Sequence, residues 1–161
     1  MSYSDSSYDQ TSAYAAEPVA VRRPDPLAGI LLVLAGVGIG VSLLLEWFSS
    51  LNGYDIFEDA LDNAGSFFSD GVWQPLVIVF GGAVLLLIGL FAFIPGKSRR
   101  TIGLIALLIA LAIVAAVMTA LITADFDFSA FEPGFLVVIG AAVVGLLGAL
   151  KAAVTPPKRV G

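Results

Sequence analysis

The chain contains no cysteine and no histidine. Without cysteine there is no disulfide framework, no haem attached through Cys-x-x-Cys-His and no iron–sulfur cluster held by thiolates. Without histidine, a haem held by a histidine pair, a His-based zinc site, a histidine general base and a Ser-His-Asp set are excluded as well. Charge is scarce: 13% of the 161 residues are Asp, Glu, Lys or Arg, against 58% hydrophobic. Pro95-Gly96-Lys97-Ser98 holds a Gly-Lys-Ser tripeptide but lacks the strand and glycine spacing of a phosphate-binding loop. These residues point away from catalysis and from a cofactor.

What is abundant is uninterrupted apolar sequence. Four runs stand out: Leu27–Leu45, Pro75–Ile94, Thr101–Ile122 and Gly134–Leu150. Each approaches the roughly 20 residues a helix needs to cross a hydrocarbon layer about 30 Å thick. The last is the shortest, so its span, placed at about 134–152, is expected to begin a little earlier or to end at Val154. The mean hydropathy of +0.97 follows from these runs. They predict an all-α integral membrane protein, a four-transmembrane-helix bundle spanning residues 27–154. A polar tail over 1–26 precedes it and a short tail over 155–161 follows. A cleaved signal peptide is not expected, because the first run lies behind a polar, acidic segment and leads into Glu46-Trp47 rather than a cleavage pattern.

The charges that remain are sorted by side. Arg22 and Arg23 precede the first run, Lys97, Arg99 and Arg100 separate the second from the third, and Lys151, Lys158 and Arg159 close the chain. The alternate loops carry only acids: Glu46, Asp55, Glu58, Asp59, Asp62 and Asp70 in one, Asp125, Asp127 and Glu132 in the other. Under the positive-inside rule both termini lie in the cytoplasm, and the basic groups are topogenic. The acidic exterior either keeps the loops soluble or attracts cations or a basic partner. Nucleic acid is not an expected partner, since the basic groups are small and no stacking aromatics interleave them.

Between their boundaries the runs contain no Asp, Glu, Lys, Arg, His, Asn or Gln. An ion path, proton relay or substrate site within the membrane normally needs such a group. Glu46, just past Leu45, is the nearest, as a headgroup-level anchor or else a coupling carboxylate. Small residues instead mark the runs, notably Gly36-x-x-x-Gly40, and allow close helix packing within the bundle or against another subunit.

The first long loop predicts a short amphipathic helix. Asn52-Gly53 signals a turn, and Asp55 followed by Glu58 resembles a capping box. Ile56, Phe57, Ala60, Leu61, Ala64, Phe67 and Phe68 then recur at helical spacing. Trp47 and Trp73 bracket this loop as expected interfacial anchors. Phe126, Phe128 and Phe131 crowd the second outer loop, where they dip into the interface or meet a partner. Residues 1–20 are polar and without apolar period, and predict no structure of their own. Tyr3, Tyr8 and Tyr14 would be their anchors on a partner.

Arg23-Pro24-Asp25-Pro26-Leu27-Ala28-Gly29, Leu43-Leu44-Leu45-Glu46-Trp47 and Asn52-Gly53-Tyr54-Asp55-Ile56-Phe57 together resemble small four-span membrane proteins of actinobacteria, over Arg22 to about Val154. Some such proteins are accessory subunits of the cytochrome bc–cytochrome oxidase supercomplex. The resemblance implies a non-redox subunit of a bacterial plasma-membrane complex, with respiratory subunits as partners and phospholipid bound around it. A small transporter or channel, or a lipid-handling envelope protein, is the alternative.

Overall fold

The computed structural model describes residues 25–66, 73–94 and 99–154. The expectations for Tyr3, Tyr8, Tyr14, Arg22, Arg23, Phe67, Phe68, Lys97, Lys158 and Arg159 lie outside the described residues, as do those for the tails and for the side chains of Arg99 and Arg100. Five α-helices make up the described chain: α1 (Pro26–Ser42), α2 (Gly53–Asp62), α3 (Trp73–Phe91), α4 (Arg99–Thr123) and α5 (Pro133–Val154). A small hairpin, β1 (Glu46–Phe48) and β2 (Leu51–Asn52), joins α1 to α2.

The four long helices close into a ring. α1 lies between α3 and α5, and α4 closes the other side between the same two; α2 packs outside, against α3. Leu32, Ile39, Ile78, Leu85, Ile113 and Val138 fill the centre, each at most 1% exposed. Outward positions are as apolar as inward ones, for example Leu34, Leu87, Leu108 and Leu147. A helix apolar on both sides needs an apolar surrounding on both. α3, Thr101–Thr123 of α4, and α5 have 19, 23 and 22 residues, long and apolar enough to cross a membrane. The chain is therefore a multi-pass membrane protein.

α1 is shorter, at 17 residues, or about 25 Å at 1.5 Å per residue. The apolar run continues to Leu45, but the helix stops at Ser42. Leu44 N–H donates to Val41 O and Leu45 N–H to Ser42 O, both at 3.1 Å, which tightens the last turn before the chain extends into β1. At its start, Pro26 occupies the first helical position and Asp25 caps it, its carboxylate accepting from Ala28 N–H at 3.1 Å. Lys151, at the end of α5, lies 3.5 Å from that carboxylate and ties the two helix ends together.

In lipid no hydrophobic drive pulls helices together, so contact rests on close dispersion packing. α1 meets α3 through glycines at two levels. A Cβ on Gly29 would sit 3.0 Å from Gly89 O, and one on Gly36 would sit 2.5 Å from Leu86 Cβ and 2.7 Å from Gly82 O. The descending pairing shows the two helices antiparallel. The Gly36-x-x-x-Gly40 motif is thereby divided, because Gly40 faces open space with nothing within 4 Å of an added Cβ. Gly36, an expected docking residue, is used inside the bundle.

α2 departs from the sequence expectation in two respects. α2 is capped by Asn52, whose side-chain oxygen accepts from Asp55 N–H at 2.9 Å. Asp55 thus sits in the first turn and is not the cap. The helix also ends at Asp62, where Asn63 N–H returns to Asp59 O at 3.1 Å, before the Phe67-Phe68 pair.

The divided motif makes a sharp prediction. Gly36→Leu forces α1 off α3 and lowers stability by about 1–3 kcal/mol or more, while Gly40→Leu leaves the unfolding midpoint in mild detergent near wild type. Equal loss in both variants would contradict the assigned packing.

Candidate functional site

The described residues concentrate their specific contacts at the end of the bundle where α1 stops. The hairpin pairs Glu46 with Asn52 and Phe48 with Leu51, and the register slips between Glu46 and Phe48. The extra residue is Trp47. A bulge of this kind re-aims one side chain, and here the indole turns into the bundle, 1% exposed. The tight turn, Ser49-Ser50, holds both residues at positive φ, 36° and 66°. Such a turn twists with the strands it joins but favours Asn-Gly, so two serines here carry strain.

Trp47 Nε1–H donates to the carbonyl of Ser42 at 2.8 Å. That carbonyl belongs to the last residue of α1, where helix acceptors run out of partners. Ser42 itself is fully buried, and its hydroxyl donates to Ile39 O at 2.7 Å. The edge of the indole meets Phe135 of α5, with centroids 5.8 Å apart and planes at 70°. Phe135 stacks on Phe131 at 4.6 Å, and Phe48 packs against both at 5.3 Å. Glu132 N–H donates to Trp47 O at 3.0 Å, so one backbone bond joins the two loops.

Two glycines leave room for the ring. A Cβ on Gly134 would come within 2.5 Å of Glu46 O and 2.8 Å of Trp47 Cδ1; one on Gly53 would collide with the indole and lie 2.9 Å from Leu43 Cα. The result is an aromatic plug that closes the ring at this end. Its polar atoms bond one another, and among the described residues no titratable side chain is buried in it. Glu46, the candidate coupling carboxylate, is exposed.

The second loop is fixed by its own cap. Phe126 N–H reaches back to Leu121 O at 2.9 Å and Asp125 N–H to Ile122 O at 3.0 Å, the paired bonds that end a helix in a left-handed turn. Asp125 and Phe126 adopt φ of 50° and 57° to make it, where glycine is usual. Asp127 then accepts from Ser129 N–H at 2.9 Å and Ser129 Oγ–H at 2.6 Å. These bonds hold its carboxyl below the usual carboxylate range.

The expected interface residues among those described fall into three groups. Trp47 and Phe131 are buried, at 1% and 6% exposed, and pack within the aromatic cluster. Phe57 and Trp73 are half-buried, and Phe57 lies edge-on to Phe80 at 5.6 Å. Phe126 and Phe128 are half exposed, at 50% and 56%. Sequence reasoning missed Ser42, Phe48, Gly53, Gly134 and Phe135 as members of one cluster. The signal available was Ser42, the sole hydroxyl of its apolar run, placed five residues before a tryptophan. No group of three or more acidic side chains among the described residues could hold a metal ion. No family model, no curated protein and no solved structure matches the chain.

Trp47→Ala empties the plug and is expected to cost about 3–5 kcal/mol; Trp47→Phe keeps the ring but loses the bond to Ser42, a smaller loss of about 1–2 kcal/mol. Unfolding midpoints in mild detergent rank the three chains. The turn behaves oppositely: replacing Ser49-Ser50 by Asn-Gly relieves strain and raises the midpoint, whereas a fall would refute the turn assignment.

Proposed function

We propose that the chain is a non-catalytic accessory or structural subunit of a larger plasma-membrane complex. In this reading α1 completes a fourth span, both termini are cytoplasmic, and the plug faces the exterior. The observation that carries it is the contrast between interior and surface. Ser42 is the single buried polar side chain among the described residues, and its hydroxyl is consumed within its own helix turn. A transporter or channel of this size needs a polar path through the ring, and the interior supplies packed aliphatic side chains instead.

The surface offers more. α4 presents Ile105, Leu108, Leu111, Met118 and Ile122 outward, with Leu108 68% exposed. The loop that follows holds Phe126 and Phe128 on the fixed left-handed turn. This continuous strip, from mid-membrane to the loop, is the docking face we assign. Rigid aromatic side chains at a partner interface bury large areas at low entropy cost. The assembly to test first is the cytochrome bc–cytochrome oxidase supercomplex of a bacterial plasma membrane, because of the resemblance borne by Arg23–Gly29, Leu43–Trp47 and Asn52–Phe57.

Extraction of native membranes in mild detergent, capture through a terminal tag, mass spectrometry and a visible spectrum of the eluate test this. A stoichiometric set of larger membrane subunits is expected, with cytochrome bands in the respiratory case. Phe126→Ala with Phe128→Ala should weaken recovery without lowering the unfolding midpoint. Recovery of the chain alone would overturn the reading and favour a lipid-handling or transport role.

A further inference from the structure

α2 is divided into three sectors, not two. Gly53 and Ala60 are buried and Ile56 and Phe57 half-buried, and these face the bundle. Asp55, Glu58, Asp59 and Asp62 are all exposed and, at 3.6 residues per turn, occupy one continuous arc on the opposite side. Tyr54 and Leu61 fill the arc between Phe57 and Glu58, and they are 54% and 44% exposed. An apolar arc on one flank alone requires a different surrounding there from the water that suits the acids.

The position of α2 supplies that surrounding. Phe80, Val84, Leu87 and Phe91 form an outward row along α3, all exposed, which is the lipid-facing surface of that helix. Phe57 rests on Phe80, at 5.6 Å and 67°. Phe80 lies seven residues into α3, about 10 Å along its axis from Trp73. Leu76, one turn nearer the loop end on the same row, is only 6% exposed, so the row is covered at the end where α2 packs. α2 therefore sits on the flank of the bundle, over its lipid-facing surface, and not across its top.

We propose that α2 is an interfacial helix that seats Tyr54 and Leu61 in bilayer lipid at the boundary of headgroups and acyl chains, with its acidic arc toward water. The partner of this surface is lipid and not another protein, because the arc borders Phe57, whose ring rests on Phe80 in the exposed row of α3. The acids set the kind of lipid: an anionic headgroup would be repelled, a zwitterionic one would not. This inference is independent of whether the chain belongs to a larger complex.

The absence of cysteine makes the test direct. Single cysteines replacing Tyr54, Glu58, Leu61 and Asp62 carry a nitroxide label in purified full-length protein reconstituted into phosphatidylcholine vesicles. Power saturation then compares access of oxygen, which partitions into lipid, with access of a water-soluble nickel chelate. Positions 54 and 61 should favour oxygen over nickel several-fold more than positions 58 and 62. Equal ratios at all four positions would overturn the proposal, by placing the whole helix in water. Low access to both reagents at 54 and 61 would overturn it also, by showing protein contact through a second copy.

Discussion

One hydrogen bond organises the loop end of this protein: the indole N–H of Trp47 on the carbonyl of Ser42. Its importance comes from where α1 stops. A helix that ends near hydrocarbon leaves carbonyls which no water reaches, and each such group costs several kcal/mol if unpaired. Trp47 adds a second donor, beside Leu45 N–H at 3.1 Å, and carries it on a large apolar ring, so the same side chain bonds the backbone and fills the opening between α1 and α5. The surrounding arrangement follows from placing it there. The bulge turns the ring inward, Gly53 and Gly134 clear its volume, and Phe135 takes its edge. Glu132 then finds Trp47 O free to accept, because the bulge has taken that carbonyl out of the hairpin ladder.

The remaining helix contacts obey a different rule. Away from the plug, buried polar side chains are not what joins the described helices, and lipid gives no gain for burying one leucine against another. Distance is what matters. Gly29 against Gly89, Gly36 against Gly82 and Gly103 against Ala152 let backbones approach to the limit of contact, while Ala35 and Gly145 do the same between α1 and α5. Two modes of cohesion thus share one small ring: backbone proximity along its length, and an aromatic cluster at one end. The Asp25–Lys151 pair at the other end joins the same two helices, α1 and α5, that the plug joins.

The extent to which this was legible follows from the range of each signal. Apolar runs and the punctuation around them are local, and the runs beginning at Pro75, Thr101 and Gly134 each contain or nearly coincide with a helix. The end of α1 was not legible, because Leu43, Leu44 and Leu45 are as apolar as what precedes them and only the turn bonds stop the helix. Asn52 reads as a turn residue and Asp55 as the cap; three-residue spacing alone does not reveal that the Asn52 amide oxygen is the acceptor. The plug was least legible. It joins residues 42, 47, 53, 131 and 135, which share no period, and Trp47 reads as an interfacial anchor until the bulge is known. Gly36 and Gly40 show the same limit. The motif is one string, but what lies opposite each glycine is a property of α3.

The outer surface divides in a way that bears on how such a protein would sit among others. On the α3 side, α2 covers the helix row only at its loop end, at Leu76, with acids outward, and Phe80, Val84, Leu87 and Phe91 stay exposed. On the α4 side no described element covers the apolar strip, and the loop above it ends in two exposed rings. Residues held at positive φ without glycine cost energy, and Asp125 and Phe126 bear that cost while the neighbouring Asp127–Ser129 bonds stiffen the turn. A loop whose sole task was to connect α4 to α5 would have no use for that expense, since glycine at either position removes it. Fixed rings at the head of an uncovered helix face are suited to meeting another rigid surface at a set angle. The bundle's loop end is thus asymmetric, with α2 packed beside α3 and fixed exposed rings beside α4, and that difference is itself an argument for association through α4.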